Sequence, residues 1–180
     1  MNKKFRNILI IVVAALVIGS CIFMFKISPI SKTEKVEEIG NMEMIAANTT
    51  TDELTRDIVV EQKFINKTEN IKEIAVVFTR IYYLEETDAN TNVVIELCEG
   101  SKSLCKQQVL ANDIPDQHRV YIYPETVLSG LVGKELTLKI YMNEDCDSGV
   151  SIMANDEVNS TYKFGKKKMS GSICFSITGE

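Results

Sequence analysis

The sequence has no tryptophan, a single histidine and only three prolines. It also lacks a C-x-x-C pair, an HExxH helix and a glycine-rich phosphate loop, so no recognisable zinc or catalytic signature is present. Without tryptophan, a platform for stacking sugars has to be built from Tyr or Phe, whose rings offer an apolar face and, for Tyr, a polar tip. Long apolar runs are missing after the first 25 or so residues, which limits the chain to one membrane pass. With three prolines and nine glycines the composition does not suggest a disordered tail.

What is present begins at the amino end. Lys3, Lys4 and Arg6 lead into Ile8 to Phe25, a stretch without a charged residue, and about 18 apolar residues are enough for a helix to cross a bilayer core. Basic residues tend to stay in the cytoplasm, so residues 1–7 are expected inside, 8–25 in the membrane, and the rest outside as a C-terminal extracytoplasmic part. That outer part holds 17 of the 20 basic residues and all 25 acidic ones, a formal charge of −8. An acidic exterior argues against nucleic acid as a partner. A second reading of the same segment is a lipoprotein signal, because Val17-Ile18-Gly19-Ser20-Cys21 looks like a lipobox with Cys21 as the lipidated residue. Ile22, Phe23, Met24 and Phe25 prolong the apolar run past that cysteine and favour the retained anchor.

Residues 26–55 read as a stalk, with mixed charges from Lys32 to Glu38 and the polar run Asn48 to Glu53, too poor in apolar side chains to offset the entropy of ordering. Residues 56–180 read as a β-domain. Short segments rich in Val, Ile, Tyr, Phe and Thr alternate with turn residues, predicting strands over 58–65, 71–83, 92–98, 104–111, 118–123, 134–142, 150–154, 161–164 and 172–178. Leu136, Leu138, Ile140 and Met142 alternate with polar neighbours, as do Ile173, Phe175 and Ile177; period-two patterning buries one face of an antiparallel sheet. Ile71 to Tyr83 is apolar on both parities, as suits a central strand. The expectation is an all-β, antiparallel β-sandwich of jelly-roll type preceded by one N-terminal transmembrane helix. Pro124 to Leu131 is the one stretch with a helical turn in view, and Gly165 to Lys168 reads as a solvated turn.

Four cysteines follow the anchor: Cys98, Cys105, Cys146 and Cys174. An even number in an oxidising space predicts disulfides. Cys98 and Cys105 flank a turn and are expected to bond across a hairpin, leaving Cys146 for Cys174.

Candidate chemistry is sparse. His118 upstream of Cys174 resembles the arrangement of the sortase transpeptidases, whose cysteine closes a strand in T-L-x-T-C and is followed by an arginine. Here the segment reads Ser170-Gly171-Ser172-Ile173-Cys174 and no arginine follows, so the stabilising cation is missing. The reading is therefore noncatalytic. The acidic loops Asn143 to Asp147 and Asn155 to Glu157 have oxygen ligands suited to calcium but not the EF-hand spacing, and no metal or cofactor is expected beyond a structural calcium. Tyr82, Tyr121, Tyr123 and Tyr162 are the candidate ligand-binding residues. Sequons at Asn48, Asn66 and Asn159 read as chance.

One resemblance spans nearly all of residues 58–177. Val60 to Phe64, Asn70 to Phe78, Asn92 to Cys98, Gly130 to Ile140, Tyr162 to Gly165 and Gly171 to Phe175 form a pattern of core positions and turns. It resembles the carbohydrate-binding, jelly-roll-like accessory domains of bacterial membrane proteins that handle surface polysaccharides. The resemblance implies the fold and, as partner, a surface polysaccharide or an envelope protein. In those relatives the domain accompanies a many-span protein, whereas this chain shows one segment. Together the expectations describe a membrane-tethered binding module, with a structural subunit of an envelope complex as the alternative.

Overall fold

The computed structural model describes residues 46–85, 90–143 and 148–179. The expected anchor at 8–25, the residues before it, most of the stalk and Cys146 lie outside the described residues. Among the described residues no helix is long and apolar enough to cross a membrane.

Among the described residues thirteen strands run in chain order: β1 (Thr49–Thr50), β2 (Val59–Ile65), β3 (Asn70–Arg80), β4 (Asn92–Glu99), β5 (Lys102–Leu110), β6 (His118–Ile122), β7 (Leu128–Ser129), β8 (Glu135–Met142), β9 (Val150–Asn155), β10 (Thr161–Phe164), β11 (Lys167–Ser170), β12 (Ser172–Ile173) and β13 (Phe175–Gly179). They form two sheets. One has six strands in the order β11-β10-β2-β8-β4-β5; the other has seven, with β3 central, flanked by β6 and β7 on one side and by β9 and β13 on the other, while β1 and β12 pair with β9. Every strand pair is antiparallel. All nine expected strands are present, in the all-β architecture of two antiparallel sheets that a β-sandwich requires.

The core lies between the sheets because each strand turns one parity inward. Leu136, Leu138, Ile140 and Met142 of β8 lie in one buried cluster with Ile74, Val76 and Phe78 of β3. Phe64 of β2 and Phe175 of β13 meet across the gap, ring centroids 5.0 Å apart and tilted by 56°. Gln62, fully buried between Val60 and Phe64, accepts hydrogen bonds through Oε1 from Ser172 Oγ (3.1 Å) and Ile173 N (3.3 Å), joining β2 to β12.

Four expectations need correction or refinement. The last strand is split at Cys174, because β12 pairs with β9 and β13 with β3; the hop between partners breaks the two-residue alternation and turns Ser172 toward Gln62. Gly165 and Lys166 make the turn, but Lys167 to Ser170 continue as a fully exposed edge strand. The segment after Pro124 carries β7 rather than a helical turn, and the 3₁₀ turn is at Ala111–Asp113. Finally, the polar residues assigned to the end of the stalk lie along β9. Thr51 N donates to Ile152 O (2.8 Å) while Ile152 N donates to Thr51 Oγ1 (3.0 Å), and Leu54 is fully buried. A strap needs few apolar side chains when its backbone groups are paired.

Candidate functional site

The two outer faces differ in kind. On the six-stranded sheet, the outward parity carries charges that the register places in one row. Lys163 of β10 faces Glu61 of β2, Glu61 faces Lys139 of β8, Lys139 faces Glu96 of β4, and Glu96 faces Lys106 of β5. Signs alternate across five strands. Lys163 Nζ lies 3.0 Å from Glu61 Oε2, and Lys63 reaches Glu135 at 2.7 Å beside the row. Burial alone would raise the Glu96 pKa, but hydrogen bonds from Ser103 and Tyr141, then Lys106 and Lys139, outweigh it and hold the carboxyl below its usual range. Each exposed pair contributes at most about 1 kcal/mol. The row makes this face a solvated, internally neutralised one.

The seven-stranded sheet presents something else. Val120 and Ile122 of β6 are buried in the core, so alternation turns Arg119 and Tyr121 outward, and Tyr123 continues the pattern one residue past the strand. Tyr121 is 41% and Tyr123 58% exposed. Residues two apart on a strand are spaced by roughly 6.6 Å, so the two side chains leave the backbone at about that separation, with Arg119 at the next position. Beside them the register places small side chains: Ala75 between Tyr121 and Ser176, and Val77 opposite Arg119. Ala75 and Ser176 are themselves buried, so what this face exposes is the aromatic margin. Tyr123 N donates to Gln107 Oε1 of β5 (3.3 Å), which holds the end of the margin in place.

Of the four candidate tyrosines, the fold therefore brings two together. Tyr82 follows β3 on the β9 side, across β3 from the Tyr121 margin; its hydroxyl donates to Glu53 Oε1 (2.6 Å), and that carboxylate also accepts from Gly149 N. Tyr162 is only 5% exposed, packed in the core, where burial pushes its hydroxyl pKa up. Arg119 was not among the candidates. Its signal was parity with Tyr121 and Tyr123 between inward Val120 and Ile122.

Arg80 organises the end of β3. Its Nη2 donates to the carbonyl oxygens of Ala111 and Ile114 and its guanidinium lies 4.5 Å from the Tyr83 ring centroid. Asp116 accepts from Thr79 Oγ1 (2.7 Å) and Arg80 N (2.9 Å). The Arg80 hydrogen bond, then that of Thr79, keeps the Asp116 carboxyl below its ordinary pKa. These contacts pin the 111–116 turn that leads into β6.

The expected Cys98–Cys105 disulfide is not formed: Cys98, Cys105 and Cys174 are free, buried thiols. A β-bulge explains the first pair. Cys105 pairs with Leu97 but Cys98 pairs with Ser103, leaving Leu104 as the extra residue, so Cys105 turns into the core while Cys98 turns to the outer face. Cys146, the expected partner of Cys174, lies outside the described residues. Burial pushes the Cys98 and Cys105 thiols up and Cys174 up to about 11, opposite to what a nucleophilic thiolate needs. His118 is paired to one side of β3, whereas the Cys174 carbonyl accepts from Val77 N on the other; two strand spacings, roughly 10 Å, separate the two backbones. Iodoacetamide applied to the folded chain is expected to leave all three thiols unmodified, and denaturation without reductant to expose all three. A linked Cys98–Cys105 peptide in the digest would contradict the free thiols.

Among the described residues no group of three or more His, Cys, Asp or Glu side chains is placed to hold a metal ion. In the Asn155 to Glu157 loop, Asp156 Oδ1 instead accepts from Asn48 Nδ2 (2.9 Å) and Asn155 Nδ2 donates to Ala46 O (2.7 Å), which fastens the strap. Glu144, Asp145 and Asp147 of the other acidic loop lie outside the described residues. Compared with models of protein families and with curated proteins, the chain finds no match in either.

Proposed function

We propose that the protein is a noncatalytic binding module of the bacterial cell surface, tethered to the membrane through residues 8–25, with a jelly-roll sandwich on the extracytoplasmic side that takes glycan across the outer face of its seven-stranded sheet. The observation that carries this reading is the exposure of Tyr121 and Tyr123 on one parity of the same segment. Rings at this spacing suit the apolar faces of successive sugars, and a glycan lies readily on a shallow face. The charge row on the opposite sheet leaves that side without a comparable apolar surface.

The test is binding of the full chain, in detergent, to an array of bacterial surface glycans with and without calcium. Tyr121→Ala and Tyr123→Ala are each expected to weaken binding at least tenfold, as truncation of an aromatic anchor does, while Tyr82→Ala leaves it unchanged. Silence across the array would favour the second reading, a structural subunit of an envelope complex, which the edge of β5, unpaired among the described residues, supports.

A further inference from the structure

The two edges of the six-stranded sheet are unequal. β11 closes one edge with Lys167 and Lys168, and Lys168 faces Lys163, so the charge row ends there on a like pair. A like pair at an edge deters further pairing. The other edge is β5. Ala111 N donates to Thr91 O at 2.8 Å, which sets the phase of the β4–β5 ladder: the backbone groups of Cys105, Gln107 and Val109 point toward β4. Those of Lys106, Gln108 and Leu110 then point away from it. Beyond the bulge at Leu104 no described strand pairs with this edge, and Lys106, the last member of the alternating row, stands on it with Glu96 opposite on β4 and its Nζ 5.6 Å from the Tyr141 ring centroid.

We infer that the free edge of β5 receives an extended segment of a partner polypeptide as a seventh strand, with an acidic residue of that segment opposite Lys106. Strand addition supplies main-chain hydrogen bonds, and side-chain complementarity supplies selection. The row predicts the sign: positions Lys163, Glu61, Lys139, Glu96 and Lys106 alternate, and the next position continues them with a carboxylate. A second copy pairing β5 to β5 does not meet that requirement, because β5, Lys-Ser-Leu-Cys-Lys-Gln-Gln-Val-Leu, contains no acidic residue. The edge adjoins the Tyr123 end of the margin through Gln107, but the inference does not depend on the glycan reading.

The experiment uses the full chain and two labelled peptides, Val-Thr-Val-Glu-Val-Thr-Val and the same sequence with Lys for Glu, read by fluorescence anisotropy. The Glu peptide is expected to bind about threefold to tenfold more tightly at low salt, the gap closing in Lys106→Gln and at high ionic strength. Gln108→Pro removes an N–H that β4 does not use, so it is expected to weaken both peptides at least tenfold with the fold intact. If that variant also unfolds, Lys106→Gln carries the test alone. Equal binding of the two peptides, no binding of either, or binding untouched by a folded Gln108→Pro chain overturns the proposal. So does a homodimer that Gln108→Pro dissolves, since the edge then belongs to a second copy.

Discussion

Phe175→Ala is expected to destabilise the domain by about 3 to 5 kcal/mol, read in urea unfolding as a lower midpoint with an unchanged slope. Phe175 is fully buried and its ring meets Phe64 at a centroid distance of 5.0 Å. The two side chains belong to different sheets, so their contact is one of those that convert two amphipathic sheets into a sandwich. Truncation removes apolar area from the core and leaves a cavity whose walls are rigid β-strands with little freedom to collapse inward. Phe64→Ala is expected to cost a similar amount. Because the rings touch, the double variant should cost less than the two single changes together, by about 0.5 to 1.5 kcal/mol. Additive losses would mean that the rings act independently.

The strands were legible because burial imposes its own period. Leu136, Leu138, Ile140 and Met142 could belong to one face only if their segment were extended, and the structure buries all four. Parity also contained the answer for two tyrosines. Tyr162 shares its parity with Phe164 and both enter the core, whereas Tyr121 lies between Val120 and Ile122 and must face out. What parity does not carry is register. The charge row exists because Glu61, Lys139, Glu96 and Lys106 come level across four strands, and nothing within any one of those segments states that alignment. The same holds for the cysteines. A hairpin from Cys98 to Cys105 looks like facing partners until the extra residue at Leu104 is placed, and a single bulged residue sends the two thiols to opposite faces.

Composition misled in two other places, for a related reason. Lys167 and Lys168 lie on a strand whose residues are all exposed, so no alternation betrays it. The run from Asn48 to Glu53 looked unstructured because it buries little, yet an edge can be secured by backbone pairing and by hydroxyls such as Thr51 Oγ1. Hydrophobic patterning reports which face is buried and is silent about strands held by their hydrogen bonds alone.

Gly171→Ala is expected to cost on the order of 3 kcal/mol or more, and the reason lies in where the chain changes sheets. β11 belongs to the six-stranded sheet and β12 to the seven-stranded one, and Gly171 is the single residue between them. Its φ is +92°, a conformation that costs an L residue about 1 to 2 kcal/mol. An added Cβ would also collide with the backbone of β9, overlapping the Asn155 carbonyl oxygen and lying 2.6 Å from Asp156 Cα. Those atoms cannot step aside cheaply, because Asn155 pairs with Ser172 and Asp156 is tied to Asn48. Gly130 separates the two contributions. Its φ is +71° but a Cβ there meets nothing within 4 Å, so Gly130→Ala should lose only the conformational part, about 1 kcal/mol. Thermal melts of the two variants side by side should show the Gly171 change several degrees further down. Equal shifts would mean that the crossing loop yields, and that the close approach of the corner to β9 contributes little to holding the sheets together.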